Sequence, residues 1–283
     1  MSATLRSSTD RRVKPSFFIV GAPRCGTTAL YEYLNSHPSL FLPTLKEPHF
    51  FATDLPGYRY ISTEDEYLSL FSSAGEGVIR AGEASVLYLS SAEAVRNILE
   101  YDADARMIVL VRNPVEMFES LHAILCNAFF EDQPDGETAW HLQEERQTGR
   151  SIPPLCREPA LLNYKNLCSL GTQVERLLKR AAPEQVKIVV FDDLVKSPRS
   201  VYEEVIAFLG VPSDGKTDFP RVNARQHHRL AWLARALQSP PSGLFRIREW
   251  LKYEYYVKRS LVGRAAYGTA LAIDDQGICS NQD

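Results

Sequence analysis

The sequence predicts an α/β protein: a P-loop-like, three-layer fold whose central parallel sheet is flanked by helices. Three observations carry that prediction. Short runs of β-forming apolar residues alternate with stretches of helical periodicity, the pattern of a parallel sheet covered on both faces. The first strand candidate, residues 17–20, opens into a turn of small residues, 21–28, and then into a helix, which is the first half of a βαβ unit. The run 106–111 is apolar after its first residue, as a strand buried on both faces must be.

The elements follow in order. Residues 17–20 end at Gly21, and 29–36 begin a helix with Leu30, Tyr33 and Leu34 on one face. His37-Pro38 closes that helix, and 40–42 predict a short second strand before Pro43. A helix is expected around 64–71. The stretch 78–83 then leads through 84–88 to a helix over 91–100. After the strand at 106–111, Asn113-Pro114 starts a helix with Pro near its first position, running through Met117, Leu121 and Leu125. Residues 130–160 are polar and carry several Pro and Gly, predicting a long excursion or lid and not a core element. Periodicity predicts a helix over 161–180, a strand at 186–191 and an amphipathic helix at 201–209, stopped by Gly210.

Length and composition bound the rest. The 283 residues are about twice a usual 150-residue domain. Residues 1–15 read as a disordered basic tail and 16–283 as a single domain. With 45% hydrophobic and 24% charged residues the chain is an average globular protein, which excludes collagen-like, disordered and low-complexity classes. Five cysteines (Cys25, Cys126, Cys156, Cys168, Cys279) without C-x-x-C spacing read as reduced thiols. No apolar run approaches the roughly 18 residues of a membrane span, and the basic N-terminus has no apolar h-region of a secretory signal behind it. A cytoplasmic protein is the expectation. The net charge of −3 is unevenly placed: residues 221–264 carry ten basic and two acidic side chains, +8, leaving −11 elsewhere. Such a local basic zone suits an anionic ligand better than nucleic acid.

The chemistry concentrates in three segments. Gly21-Ala22-Pro23-Arg24-Cys25-Gly26-Thr27-Thr28 has two glycines separated by four residues, followed by two hydroxyls. Backbone N–H groups in that spacing can wrap a phosphate, with the helix N-terminus behind them. A Walker A loop needs Lys where this chain has Thr27, and the basic residue here is Arg24. The loop is therefore poorly equipped for the terminal phosphates of ATP, yet suited to a 5′-phosphate with something small attached; a plain tight turn is the alternative. Lys46-Glu47-Pro48-His49-Phe50-Phe51 sets a cation and a carboxylate beside an aromatic pair. A carboxylate against apolar rings can have a raised pKa and act as a general base, or Lys46 and Glu47 form a solvated surface pair. Arg112-Asn113-Pro114 follows an apolar strand, with Ser120 eight residues on. At the carboxyl end of a parallel strand, Arg112 could fork onto a phosphate, or it pairs locally.

Together these segments resemble the sulfotransferases that use 3′-phosphoadenosine 5′-phosphosulfate. Residues 17–30, FFIVGAPRCGTTAL, are similar to the family's 5′-phosphosulfate segment. RMIVLVRNPVEMFES, 106–120, is similar to its 3′-phosphate segment, and KEPHFF to the K-E-x-x-F-F segment of the heparan-sulfate-type branch and its bacterial relatives. Gly82-Glu83-Ala84-Ser85 to Tyr88 resembles the G-E-x-S/T-x-x-Y stretch near the acceptor, and 189–211 the late strand and helix. The resemblance spans roughly 16–232.

It implies that Gly26, Thr27 and Thr28, with Arg24 and Cys25 of the same loop, hold the 5′-phosphate and sulfonate oxygens, and that Arg112 and Ser120 grip the 3′-phosphate. Glu47 would be the general base, with Lys46 beside it. Arg24 would face the bridging oxygen where the family usually has Lys, in an electrostatic role, since a guanidinium does not give up its proton. Arg225 or Arg229, in the basic zone, would close over the nucleotide. The implied reaction moves a sulfonate to a hydroxyl, less readily an amine, of a carbohydrate or small natural product. It needs no metal and no nucleic acid, and leaves a homo-oligomer open. Two alternatives stand: a P-loop kinase using ATP and Mg, with Asp192 after an apolar strand as its carboxylate, and a non-catalytic nucleotide or glycan binder on the same fold.

Overall fold

A computed structural model describes residues 13–222. The basic tail up to residue 12, Arg225 and the rest of the basic zone after Val222 lie outside the described residues. The strands are Pro15–Gly21 (β1), Leu40–Phe41 (β2), Arg80–Ala84 (β3), Arg106–Val111 (β4) and Val186–Val190 (β5). All pair in parallel, in the order β2-β3-β1-β4-β5. The helices are Thr27–Asn35 (α1), Glu64–Ser69 (α2), Ala94–Tyr101 (α3), Pro114–Asn127 (α4), Gly136–His141 (α5), Gln143–Gln147 (α6), Tyr164–Cys168 (α7), Leu170–Leu178 (α8), Phe191–Lys196 (α9) and Pro198–Leu209 (α10).

The two central strands are the two most apolar runs in the sequence. Phe17, Phe18, Ile19 and Val20 of β1 and Met107, Ile108, Val109 and Leu110 of β4 are all fully buried. Side chains on both faces of a parallel sheet must be apolar because helices cover both, and each contributes roughly 1.5–3 kcal/mol by leaving water. At the edge, β5 leaves Ile188 and Val190 exposed. Gly82 of β3 pairs with Phe17, and a Cβ there would sit 2.4 Å from the Phe17 ring. Only glycine lets that ring lie flat on the neighbouring strand.

This order places the binding crevice. From β1 the chain crosses towards β2 on one side, and from β4 it crosses towards β5 on the other. Adjacent strands whose outgoing connections diverge leave an open crevice at their carboxyl ends. The loops there are 22–26 after β1 and 112–113 after β4, two of the three segments singled out from the sequence.

Two elements differ from expectation. Residues 161–180 form no continuous helix: a 3₁₀ turn at Pro159–Leu162 is followed by α7 and α8. The Asn163 side chain accepts from the Asn166 N–H at 3.1 Å and starts α7 afresh, and Gln173 donates to the Leu167 carbonyl at 3.2 Å where α7 ends. Side-chain bonds to local backbone thus replace a turn of helix on each side. The polar stretch 130–160 contains α5 and α6, held by a buried ion pair. Arg146 donates through both Nη atoms to Glu131 at 2.6 and 2.7 Å, and the Tyr164 hydroxyl donates to the same carboxylate at 2.7 Å. No helix among the described residues is long and apolar enough to cross a membrane.

Candidate active site

The turn after β1 presents a helix N-terminus to the crevice. Gly26, the N-cap of α1, has φ 88°, and no side chain caps the helix there. A Cβ on Gly26 would approach Phe191 at 2.9 Å, so both conformation and space require glycine. An α-helix start without a side-chain cap offers N–H donors and the positive end of the helix dipole to an anion. Thr27 is buried and Thr28 half-buried in that first turn. Cys25 points the other way: its thiol lies in the core, 3.9 Å from the Met117 sulfur, and burial pushes its pKa up to about 12.

Arg24 sits in the same turn with φ 64°, a left-handed conformation uncommon for a side chain of its size. Its Nε donates to Ser120 Oγ at 2.9 Å, which joins the loop after β1 to α4. Burial, and then the neighbouring Arg112 charge, lower its pKa, while Glu47 acts in the opposite sense. Two guanidinium groups and a carboxylate therefore share one field.

Arg112 is committed to several partners. Its Nε and Nη2 donate to the Glu116 carboxylate at 3.0 and 2.6 Å, and Nη1 reaches the Arg24 carbonyl at 3.5 Å. Its guanidinium lies over the Phe191 ring, 4.5 Å from the centroid. The anticipated fork exists, and in this structure Glu116 fills it. The sequence reading missed Glu116, although a carboxylate four residues after Arg on a predicted helix is the ordinary signal for such a pair.

The third segment is anchored from below. Lys46 and Glu47 form an ion pair through Nζ and Oε1, each side chain partly buried. The aromatic pair that follows turns into the core: Phe50 stacks on Tyr67 at 4.4 Å, and Phe51 meets Phe18 edge-on at 5.6 Å. Glu47 therefore has the Lys46 ammonium, not those rings, beside its carboxylate. Glu47 and His49 both adopt positive φ, 63° and 52°. Non-glycine residues are held there only when surrounding bonds fix them. The Glu47 N–H donates to the Ala84 carbonyl at 2.9 Å, the His49 N–H to Ser85 Oγ at 3.1 Å, and the Phe51 N–H to the Tyr88 hydroxyl at 3.2 Å. His49 is fully buried, its Nδ1 2.9 Å from the Glu47 carbonyl, and burial depresses its pKa to about 4.

Glu83, in the G-E-A-S stretch, is fully buried and its pKa is raised. Burial drives it up to about 8, against hydrogen bonds from Tyr88 and Ser85 and the Lys46 charge. Asp192, the carboxylate of the kinase alternative, is the second residue of α9, beyond the edge strand β5.

Comparison with known proteins gives the same grouping. A family model described as a sulfotransferase domain matches residues 14–228. The chain is 31% identical over 150 residues to human carbohydrate sulfotransferase 15, covering 38% of this chain and 27% of that protein. It is 38% identical over 111 residues to human heparan sulfate glucosamine 3-O-sulfotransferase 6, covering 39% of this chain and 30% of that protein. The chain thus spans less than a third of the length of either curated relative. Among solved structures, a sulfotransferase from Alicyclobacillus acidocaldarius aligns with a TM-score of 0.66 and 30% identity, covering 75% of this chain and 87% of that one. With a model match over most of its length, the crevice between β1 and β4, and the loops that line it, the chain belongs to the sulfotransferase domain family.

Proposed function

We propose that the protein transfers a sulfonate group from 3′-phosphoadenosine 5′-phosphosulfate to a hydroxyl group of a carbohydrate acceptor. The observation that carries this reading is the convergence of Arg24, Ser120 and Arg112 at the β1/β4 crevice, with Glu47 in the same electrostatic field. The N-terminus of α1, through Gly26, Thr27 and Thr28, holds the 5′-phosphosulfate, and Arg112 and Ser120 hold the 3′-phosphate once the nucleotide displaces Glu116. Glu47 takes the proton of the acceptor hydroxyl as its oxygen attacks sulfur. The bond from sulfur to the bridging oxygen breaks, and Arg24 stabilises the charge left on the departing phosphate. Lys46 offsets the Glu47 charge until the acceptor arrives. Such a displacement asks the protein chiefly for positioning and fixed positive charge. A carbohydrate acceptor is favoured by the names of the curated relatives, both of which act on sugars.

The test is turnover of the donor with desulfated heparin and desulfated chondroitin as acceptors, in wild type and Glu47→Gln. Loss of a general base lowers turnover by about 10²–10⁴-fold, while affinity for adenosine 3′,5′-bisphosphate stays at the wild-type value. Equal turnover by the two proteins would remove Glu47 from the reaction.

A further inference from the structure

Two motifs far apart in the sequence, KEPHFF and GEASVLY, meet in a regular way. Alternate N–H groups of the first, at residues 47, 49 and 51, are each held by the second, through the Ala84 carbonyl, Ser85 Oγ and the Tyr88 hydroxyl. Two of these acceptors are hydroxyls, and a hydroxyl presents a lone pair to an N–H reliably only when its own proton is engaged elsewhere. Ser85 Oγ donates to Glu83 Oε2 at 3.4 Å, and the Tyr88 hydroxyl lies beside the Glu83 side chain. Glu83 is thus the common end of two relays, from Phe51 N–H through Tyr88 and from His49 N–H through Ser85. It is 1% exposed, and its second oxygen, Oε1, has no partner among the described residues.

We propose that Glu83 is a positioning residue for the reaction: its carboxyl group orients the Ser85 and Tyr88 hydroxyls so that they hold Glu47 and His49 in their left-handed conformations and aim the Glu47 carboxylate at the crevice. The proposal rests on the reading of Glu47 as general base. The charged and titratable groups around Glu83 are Lys46, Glu47, Tyr67 and Tyr88, and Lys46 and Glu47 already pair with each other. A neutral acid fits this place, with Oε2 as a carbonyl-type acceptor and the proton on the unpartnered Oε1. An amide reproduces that form, with its oxygen at Oε2, so Gln can replace Glu83 and an aliphatic residue cannot.

Hydrogen–deuterium exchange of the amides at 47–51 tests this directly and requires no acceptor. In Glu83→Leu, and in Ser85→Ala, which deletes a single hydroxyl, exchange at 47–51 rises roughly tenfold or more, as expected when a buried N–H loses an oriented partner. Exchange at 21–28 and affinity for adenosine 3′,5′-bisphosphate stay unchanged, turnover with desulfated heparin falls through kcat and not KM, and Glu83→Gln restores both exchange and kcat. Should Glu83→Leu not fold, Ser85→Ala and Glu83→Gln decide. Wild-type exchange at 47–51 in a folded Glu83→Leu or Ser85→Ala protein would overturn the proposal, as would failure of Gln to restore it. Wild-type turnover by Glu47→Gln would sink the general-base reading instead, leaving the exchange result intact, so the two failures are distinguishable.

Discussion

Arg24 and Ser120 lie 96 residues apart in the chain and meet through a 2.9 Å hydrogen bond from the guanidinium Nε to the hydroxyl oxygen. That bond joins the turn after β1 to the helix after β4, so the two segments that line the crevice are set relative to each other. Ser120→Ala removes the brace and, on the function proposed above, a phosphate contact. Its affinity for adenosine 3′,5′-bisphosphate should fall by about 1.5–3 kcal/mol, the range for a hydrogen bond to a charged group. Titration calorimetry checks this, and an unchanged affinity would show that the brace is dispensable.

Glu116 occupies the Arg112 guanidinium, and on the proposed function a nucleotide has to displace it. The pair is partly exposed, with side-chain accessibilities of 20% for Arg112 and 53% for Glu116, so it is worth only about 0.2–1 kcal/mol. Glu116→Gln should therefore tighten bisphosphate binding by roughly two- to fivefold at low salt, with the gain shrinking as salt is added. Arg112→Ala should weaken binding by about 1.5–3 kcal/mol, the range for a hydrogen bond to a charged group.

Much of this site was legible in the sequence, and the reasons are physical. A buried parallel strand must be continuously apolar, so 17–20 and 106–111 declared themselves, and the segments after them had to fall at the sheet's carboxyl end. Gly26 was readable because the turn demands a positive φ. The roles of Glu83, Ser85 and Tyr88 were not readable: they depend on which hydroxyl faces which N–H across two loops, and no local pattern encodes that. The Glu131–Arg146 pair escaped for the same reason. Polar residues in a Pro- and Gly-rich stretch look solvated until a partner 15 residues away encloses them.

That pair yields a prediction about stability. Burial opposes the ionisation of Glu131, yet hydrogen bonds from Arg146, the Gln133 N–H and Tyr164 hold its pKa below the ordinary value. A depressed carboxylate contributes stability that is present above its ordinary pKa of 4.5 and lost as pH falls through the folded value. Arg146→Ala leaves the carboxylate buried and unpaired, which costs about 3–5 kcal/mol. Chemical denaturation at pH 7 measures it, and a loss under about 1 kcal/mol, the worth of an exposed pair, would contradict the burial.

Glu83 and His49 set opposing slopes of stability against pH. Glu83, with a folded pKa of about 8 against an ordinary 4.5, takes up a proton on folding, so its contribution is lost as pH rises between those values. His49, with a folded pKa of about 4 against 6.5, is buried neutral, so its contribution is lost as pH falls from 6.5 to 4. The two oppose each other between about 4.5 and 6.5, and Glu83 acts without that opposition from 6.5 to 8. Stability should decline across that upper window in wild type and flatten there in Glu83→Gln. Denaturant midpoints at pH 6.5, 7.2 and 8 would show it, and parallel curves for the two proteins would contradict it.

On the proposed function the β1/β4 crevice holds a nucleotide with phosphates at both the 3′ and 5′ positions. The most direct measurement is calorimetric titration of the protein with adenosine 3′,5′-bisphosphate in the presence of a chelator, alongside ATP with Mg²⁺. Saturable binding of the bisphosphate without metal, weakened in Arg112→Ala, is expected, with weaker binding of ATP. Preference for ATP with Mg²⁺, or no binding of the bisphosphate at all, would contradict it.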